Sequence, residues 1–185
     1  MELDGKPYRI NTDFRAGIAY SSALLSGTPL PAGQLVRLFF PDEQPAEAAA
    51  LAAISEFIRC GAPAPEEQEA ADAANTQPAP YSFLTDSAAL QAEFQRVYGI
   101  DLFSAKLHWW RFMALLRGLI SHSFSERVKY RVAELDQIKD ETTRRHWRHM
   151  KQLYALDPQG RPRKQPKTVE EYNEMLLAQA RGERW

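Results

Sequence analysis

The sequence has a single cysteine and no long apolar run, and both shortages restrict what the protein can be. Its 185 residues include only Cys60, so an internal disulfide is excluded and a reducing compartment is favoured. No stretch approaches the roughly 20 apolar residues that a transmembrane helix needs. The first residues have neither the basic start nor the apolar core of a signal peptide. We therefore expect a soluble, cytoplasmic protein.

Recognisable catalytic motifs are also missing. The chain has no glycine-rich phosphate loop, no G-x-S-x-G nucleophile elbow and no H-E-x-x-H zinc motif. Cys60 ends an apolar run, which is typical of an inert thiol. His108, next to two tryptophans, is expected at the core edge with a bond to a backbone carbonyl, and Asp101 or Ser104 is expected to cap the next helix. The sequence predicts a non-enzymatic protein with no catalytic residue and no cofactor.

Metal and nucleic-acid sites are not expected either. His146 and His149 are three residues apart on a predicted helix, but the three arginines around them oppose a cation and no further ligand is apparent. The basic, proline-rich segment 161–167 could contact phosphate. It lacks interleaved aromatic residues and any known nucleic-acid-binding motif, so a solvated linker is the favoured interpretation.

Charge is divided unevenly along the chain. Residues 1–104 contain 6 Lys+Arg and 14 Asp+Glu, a net charge of −8, and residues 105–185 contain 17 and 10, a net charge of +7. Such asymmetry occurs in proteins that bind nucleic acid. It also occurs where two halves attract each other, within one fold or between copies. We favour this second interpretation, because acids are interleaved with the basic residues, and it leaves a homo-oligomer open.

Hydrophobic periodicity predicts a mainly α-helical domain of five to seven helices, with a short N-terminal β-strand or hairpin around the Asp-Gly turn at 4–5. A first helix follows the capping candidates at 11–13 and ends near Gly27. The apolar run at 35–40 is typical of either a strand or a buried helix, and we favour a helix because its neighbours are helical. An alanine-rich helix is predicted from Ala46 to Cys60.

The second half contains the segment that organises the fold. Asp86 is predicted to cap a helix that ends at Tyr98, with Gly99 in a left-handed conformation. A helix over 103–120 has an apolar face wide enough for contact on two sides, which predicts the central helix. Its predicted apolar positions are Leu107, Trp110, Ala114, Leu115 and Leu119, and the stripe is widened by Trp109, Phe112, Met113 and Leu116. Residues 124–156 predict one long amphipathic helix, or two helices broken near 140–143.

The chain therefore divides into two parts. Residues 1–156 are predicted to form a helical domain, interrupted by a flexible insert at 61–80 that is rich in proline, alanine and acids. Residues 157–185 are predicted to form a basic linker and a short C-terminal helix, which opens at Thr168 with Glu171 three residues later.

The Tyr-Gly-Ile-Asp-Leu run at 98–102, followed by Leu-His-Trp-Trp-x-Phe at 107–112, resembles a known family. So do the Asn-Thr-Asp-Phe-Arg run at 11–15 and the Leu-Phe-Phe-Pro run at 38–41. Together they are similar to the bacteriophage gene-product-fifteen family of tailed phages and prophages of Gram-positive bacteria. The resemblance covers residues 3–156, and adjacent tryptophans in a fixed register make it specific.

The resemblance implies a function in the phage tail module and brings no catalytic residue with it. It favours a chaperone-like tail-assembly factor in the host cytoplasm, which acts with the tape-measure or tail-tube protein. The alternatives are a tail-completion or connector component of the virion and, less favoured, a nucleic-acid-binding regulator. The candidate protein-binding residues are aromatic side chains that the fold leaves accessible: Trp109, Phe112, Trp147 and Tyr154.

Overall fold

The structure is a computed structural model that describes residues 1–62, 80–119, 123–163 and Arg181. Most of the predicted insert and the whole predicted C-terminal helix lie outside these residues. Within the described part there are two strands, seven α-helices and one 3₁₀ turn. Their bounds are β1 Glu2–Leu3, β2 Lys6–Pro7, α1 Phe14–Leu25, α2 Ala32–Phe39, α3 Glu47–Ile58, α4 Ser87–Tyr98, α5 Trp109–Arg117, α6 Ser123–Val132, the 3₁₀ turn Leu135–Gln137 and α7 Glu141–Leu153.

The mainly α-helical class and the N-terminal hairpin are confirmed. Strands β1 and β2 are antiparallel, with Leu3 opposite Lys6. The turn between them has φ 52° at Asp4 and φ 73° at Gly5. Two successive left-handed residues form the turn that matches the twist of a tight hairpin, and Asp-Gly is a favoured pair for it. The run at 35–40 is helical through Phe39, as favoured, and belongs to α2, which Phe40 follows.

Helix α5 is central, but it is shorter than predicted and buries the edge of its predicted apolar stripe most deeply. It begins at Trp109, because the chain just before it pairs with the chain at the start of α1: Phe14 N donates to Leu107 O at 3.0 Å, and Trp109 N donates to Thr12 O at 2.7 Å. The buried residues of α5 are Trp109, Phe112 and Leu116. All three are residues that were predicted to widen the apolar stripe. Trp110 was wrongly predicted at the buried centre of that stripe, since it is 44% exposed.

Phe112 forms the centre of the core. Its ring stacks on Phe14 of α1, with centroids 4.9 Å apart, and on Phe94 of α4, with centroids 5.3 Å apart. Trp109, one turn earlier, packs directly on Gly17, where an added Cβ would lie 2.3 Å from the indole ring. Helices α1, α4 and α5 are thus held together by large aromatic surfaces removed from water, which is a major source of stability.

The two adjacent tryptophans bind the end of α3 from different sides. Trp109 Nε1 donates to Ile58 O at 3.0 Å, and Trp110 Nε1 donates to Phe57 O at 2.8 Å. The last carbonyl groups of a helix have no partner within the helix. The Trp-Trp pair supplies partners for two of them, so this part of the signature fixes α3 against α5.

Helix α6 is attached to α4 by a buried ion pair. Arg131 Nη1 and Nη2 donate to Asp86 Oδ2 and Oδ1 at 2.6 and 2.9 Å. Asp86 is only 1% exposed, and it also accepts the amide of Ser82. Asp86 precedes α4 as predicted, yet its side chain makes no capping bond. The predicted capping role was wrong, because both carboxylate oxygens bind Arg131.

The charged segment after α5 forms two helices, which is one of the two predicted alternatives. The break spans 133–140, earlier than predicted, and contains the 3₁₀ turn. Asp140 caps α7 by accepting the amide of Thr143 at 2.6 Å. Helices α6 and α7 pack through Tyr130. The centroid of its ring lies 5.1 Å from the ring centroid of Trp147 and 6.1 Å from that of Tyr154.

The first residues of the predicted linker dock on the helical domain. Leu156 is buried and bridges to Pro162. Thr85 Oγ1 donates to Gly160 O at 2.6 Å, and a Cβ at Gly160 would lie 2.4 Å from Leu25 Cδ2. The domain boundary at 156 stays a prediction, although the chain packs against the helices beyond it.

The connector between α4 and α5 is fixed by side-chain hydrogen bonds. Gly99 has φ 65° and ends α4, as predicted. Asp101 does not cap α5; it accepts bonds from Phe103 N at 3.0 Å and from Ser104 Oγ at 2.8 Å. Gln91 of α4 also donates to Asp101, at 2.8 Å. The Ser104 hydroxyl and the Phe103 amide lower the pKa of Asp101.

We expect Gly17→Ala to destabilise the protein by about 1–3 kcal/mol or more, because a methyl group cannot fit against the Trp109 ring without backbone movement. Thermal or urea unfolding measures the change. Gly33→Ala is the matched control, since a Cβ there would meet only Arg37 Nη1 at 3.7 Å. It should be neutral or stabilising by up to about 1 kcal/mol. Equal effects of the two variants would contradict the close packing.

We expect Arg131→Met to cost about 3–5 kcal/mol, because it leaves the Asp86 carboxylate buried without its main partner. The control is Glu141→Gln, which removes an exposed ion pair with Arg144 and should cost no more than about 1 kcal/mol. Urea unfolding of both variants gives the comparison. A loss below 1 kcal/mol for Arg131→Met would show that the ion pair does not hold α6.

The lowered pKa of Asp101 predicts a pH dependence of stability. A carboxylate whose pKa is depressed by folding stabilises the folded state above its unfolded pKa, and this contribution is lost as the pH falls through the folded pKa. The midpoint of thermal unfolding should therefore fall less for Asp101→Asn than for wild type between about pH 6 and pH 3. Ser104→Ala should show an intermediate dependence. Parallel pH profiles for all three proteins would refute the assignment.

Candidate protein-binding groove

A groove of about 520 Å³ opens between α5 and α6, beside the segment that precedes α4. Its walls and floor are largely apolar, and two cations stand at its edge. The lining residues are Tyr81, Met113, Leu116, Arg117, Leu119, Phe124, Ser125, Val128 and Lys129.

Helical spacing explains how the two helices form this surface. Met113 and Leu116 are three residues apart on α5, and Phe124 and Val128 are four residues apart on α6, so each pair lies on one helix face. Leu116 and Phe124 are buried, while Met113 and Val128 are half-buried and reach the opening. The groove therefore has a closed apolar floor and accessible apolar walls.

A hydrogen bond fixes the inner end of the groove. Ser125 Oγ, in the first turns of α6, donates to Leu119 O, just after α5, at 2.6 Å. Leu119 itself is buried. This bond holds the start of α6 against the end of α5, and from there the groove opens between the two helices.

Positive charge borders the groove. Arg117 and Lys129 are both exposed, each in the last turn of its helix. Burial raises the pKa of Tyr81 above its ordinary 10.0, and the charge of Arg117 opposes this rise. The phenol therefore stays neutral near pH 7. The lining includes no histidine and no carboxylate among the described residues.

Two of the predicted protein-binding residues are in the core and not on the surface. Trp109 is 2% exposed and Phe112 is 0% exposed, because the face of α5 that carries them packs on α1 and α4. The prediction that Trp109 and Phe112 are accessible contact residues was therefore wrong. Trp147 and Tyr154 are half-buried around Tyr130 on the α6–α7 pair, and their role in protein binding stays a prediction.

The groove residues themselves were not singled out by the sequence. The available signal was the wide apolar face predicted for the central helix, with Met113 and Leu116 at its edge, which indicated contact on two sides. One side is the core, and the other is the groove. The partner wall on α6 carries only Phe124 and Val128 among charged neighbours, so it gave little signal.

The isolated polar residues do not form a second site. His108 is exposed and caps α5, its Nδ1 accepting the amide of Trp110 at 3.1 Å, so the predicted bond to a carbonyl was wrong. Cys60 is half-buried, and burial raises the pKa of its thiol, which disfavours the reactive thiolate. Within the described residues, no group of three or more His, Cys, Asp or Glu side chains could hold a metal ion.

A second, polar cavity of about 730 Å³ lies between residues 9–15 and 104–108. It carries charges of both signs, because Asp13 pairs with Arg15 at 3.1 Å and Asp42 lies 3.9 Å from Arg9. Such a lining favours neither an anion nor an apolar partner. The groove between α5 and α6 is thus the stronger candidate site.

No helix in the described part of the chain combines the length and the apolar character that crossing a membrane requires. No curated protein and no solved structure matches the chain. A family model described as "Bacteriophage Gp15 protein" matches residues 1–156, which include both strands, all seven described helices and every lining residue of the groove. This match indicates a phage structural or tail-related protein. The resemblance seen in the sequence is confirmed, and the chain belongs to the Bacteriophage Gp15 protein family.

Proposed function

We propose that the protein is a non-enzymatic tail-assembly factor that acts as a chaperone for the tape-measure or tail-tube protein. The observation that carries this proposal is the open apolar groove between α5 and α6 in a member of a phage protein family. Apolar segments of an unassembled partner are exposed to water and favour aggregation. A groove that covers such a segment keeps the partner soluble until assembly.

The chemistry of the groove supports binding more than catalysis. General acid–base catalysis needs a titratable side chain placed against the reacting group. Ser125 is committed to the carbonyl of Leu119, and the phenol of Tyr81 has a raised pKa. The other charged groups are Arg117 and Lys129, which are exposed at the edge. Apolar walls with a few charges at the border are typical of surfaces that bind a helix of a partner.

The proposal places the protein in the host cytoplasm during assembly. A structural tail-completion or connector component is the main alternative, and the composition of purified particles separates the two. Mass spectrometry of mature particles should detect little or none of a chaperone. A structural component would be present in a fixed ratio to the other tail proteins.

We expect co-expression with the cognate tape-measure protein to raise the soluble fraction of that protein severalfold and to yield a complex that co-purifies. Val128→Glu, which puts a charge into the groove wall, should abolish both effects, because a carboxylate among apolar side chains loses its hydration. Val132→Glu is the matched control, since it makes the same change on the same helix at a residue that is 57% exposed.

Thermal unfolding of both variants shows that each is folded before the solubility is compared. Val132→Glu should behave like wild type. If the tape-measure protein is equally soluble without this protein, the proposed function fails. If Val128→Glu co-purifies with it as well as wild type does, the groove is not the contact site.

A further inference from the structure

We infer that the groove binds an acidic amphipathic helix, whose apolar side chains enter between α5 and α6 and whose carboxylates contact Arg117 and Lys129. The inference rests on the proposed function and specifies the chemistry of the segment that is bound. It follows from three properties of the groove: the elements that form its walls, the charge at its border and the absence of a carboxylate among its described lining residues.

The walls favour a helical ligand over an extended one. An extended segment needs backbone partners from a sheet edge, because its own amide and carbonyl groups are unpaired. The groove is formed mainly by side chains of two helices, whose backbone groups are bonded within each helix. A helix brings its backbone already hydrogen-bonded. It can therefore enter an apolar groove at little polar cost, with side chains spaced i, i+3, i+4 and i+7 as anchors.

The volume of the groove fits a helical ligand that inserts only its side chains. A volume of about 520 Å³ is enough for a few large apolar side chains and not for a whole helix. The ligand helix therefore lies along the opening, between Met113 and Val128, with one face inside. The flanks of that helix face the borders of the groove, where Arg117 and Lys129 stand.

The positive charge at the border of the groove favours acidic residues on the flanks of the ligand helix. Arg117 and Lys129 attract carboxylates, and the described lining offers no acidic group to a basic ligand. The surrounding sequence adds to this preference, because residues 105–163 contain 13 Lys+Arg and 6 Asp+Glu. Complementary charge speeds association and like charge rejects the wrong partner. The ligand is therefore acidic on its polar side.

A second copy of the chain fits the groove less well. In a symmetric dimer the same patch meets itself. Arg117 and Lys129 of both copies would then face each other across the contact, with no lining carboxylate between them. A partner of opposite charge avoids this repulsion, so we assign the groove to a different protein.

The test uses the full chain and two fluorescein-labelled peptides of about 16 residues, long enough to form a marginally stable helix. Both carry leucine at i, i+3, i+4 and i+7. One has glutamate on its flanks and the other has lysine. Fluorescence anisotropy at low salt should show the acidic peptide binding at least about tenfold more tightly, with the preference shrinking at high salt.

Charge-reversal variants test whether Arg117 and Lys129 cause the preference for the acidic peptide. Arg117→Glu with Lys129→Glu should remove or invert the preference for the acidic peptide. The control is Arg145→Glu with Arg148→Glu, which makes the same change in net charge at two exposed residues of α7. It should keep the preference. Val128→Glu should weaken binding of both peptides, and Val132→Glu should not. Circular dichroism confirms that each variant is folded.

Several results would overturn the inference. One is equal affinity for the two peptides. Another is the same loss of preference in the α7 control as in the groove variant. A third is a concentration-dependent dimer, seen by sedimentation, that Val128→Glu dissociates, because a second copy would then occupy the groove. If the tape-measure protein is kept soluble while the peptide preference is absent, the inference fails and the proposed function stands. If the peptide preference is present but the tape-measure protein is not kept soluble, the proposed function alone is refuted.

Discussion

The position of α6 depends on the buried ion pair between Asp86 and Arg131. Both oxygens of Asp86 and both terminal nitrogens of Arg131 take part, and Arg131 Nε also donates to the carbonyl of Tyr154 at 2.6 Å. One guanidinium thus joins the start of α4, the helix α6 and the end of α7. Arg131 is spaced i+7 from Phe124 and i+3 from Val128, so the ion pair anchors the same face of α6 that carries the apolar wall of the groove. A purely apolar contact would not fix the orientation of α6 in the same way.

Periodicity and turn chemistry predicted the helices well, whereas the partners of individual polar side chains could not be predicted. The spacing of apolar residues and the left-handed Gly99 are local features, and they gave the helical class, the hairpin and the end of α4. Asp86 has the position and chemistry of a capping residue, but Arg131, 45 positions later, takes its carboxylate. The periodicity placed Trp110 on the buried stripe and Trp109 at its edge. In the structure Trp109 packs on Gly17 of α1 and is 2% exposed, whereas Trp110 is 44% exposed.

The groove was the least predictable feature, because it arises where two surfaces fail to close. Met113 and Leu116 have the pattern of core residues, and nothing in their spacing says which side chains remain accessible. Val128 is an isolated apolar residue among charged ones on α6. The sequence indicated aromatic residues as candidate contacts, whereas the lining of the groove combines aliphatic side chains, two aromatic rings and two cations. The uneven charge along the chain is visible in the sequence, and the two cations at the border of the groove belong to its basic half.

The contact between Gly17 and Trp109 also has a consequence for how sequences of this fold can diverge. The indole occupies the space that any side chain at position 17 would need, and this places two positions 92 residues apart under one steric rule. A related chain with alanine or serine at the first position must carry a smaller ring or an aliphatic residue at the second. The pair should therefore change together or not at all, and it would appear among related chains as a linked substitution between α1 and α5.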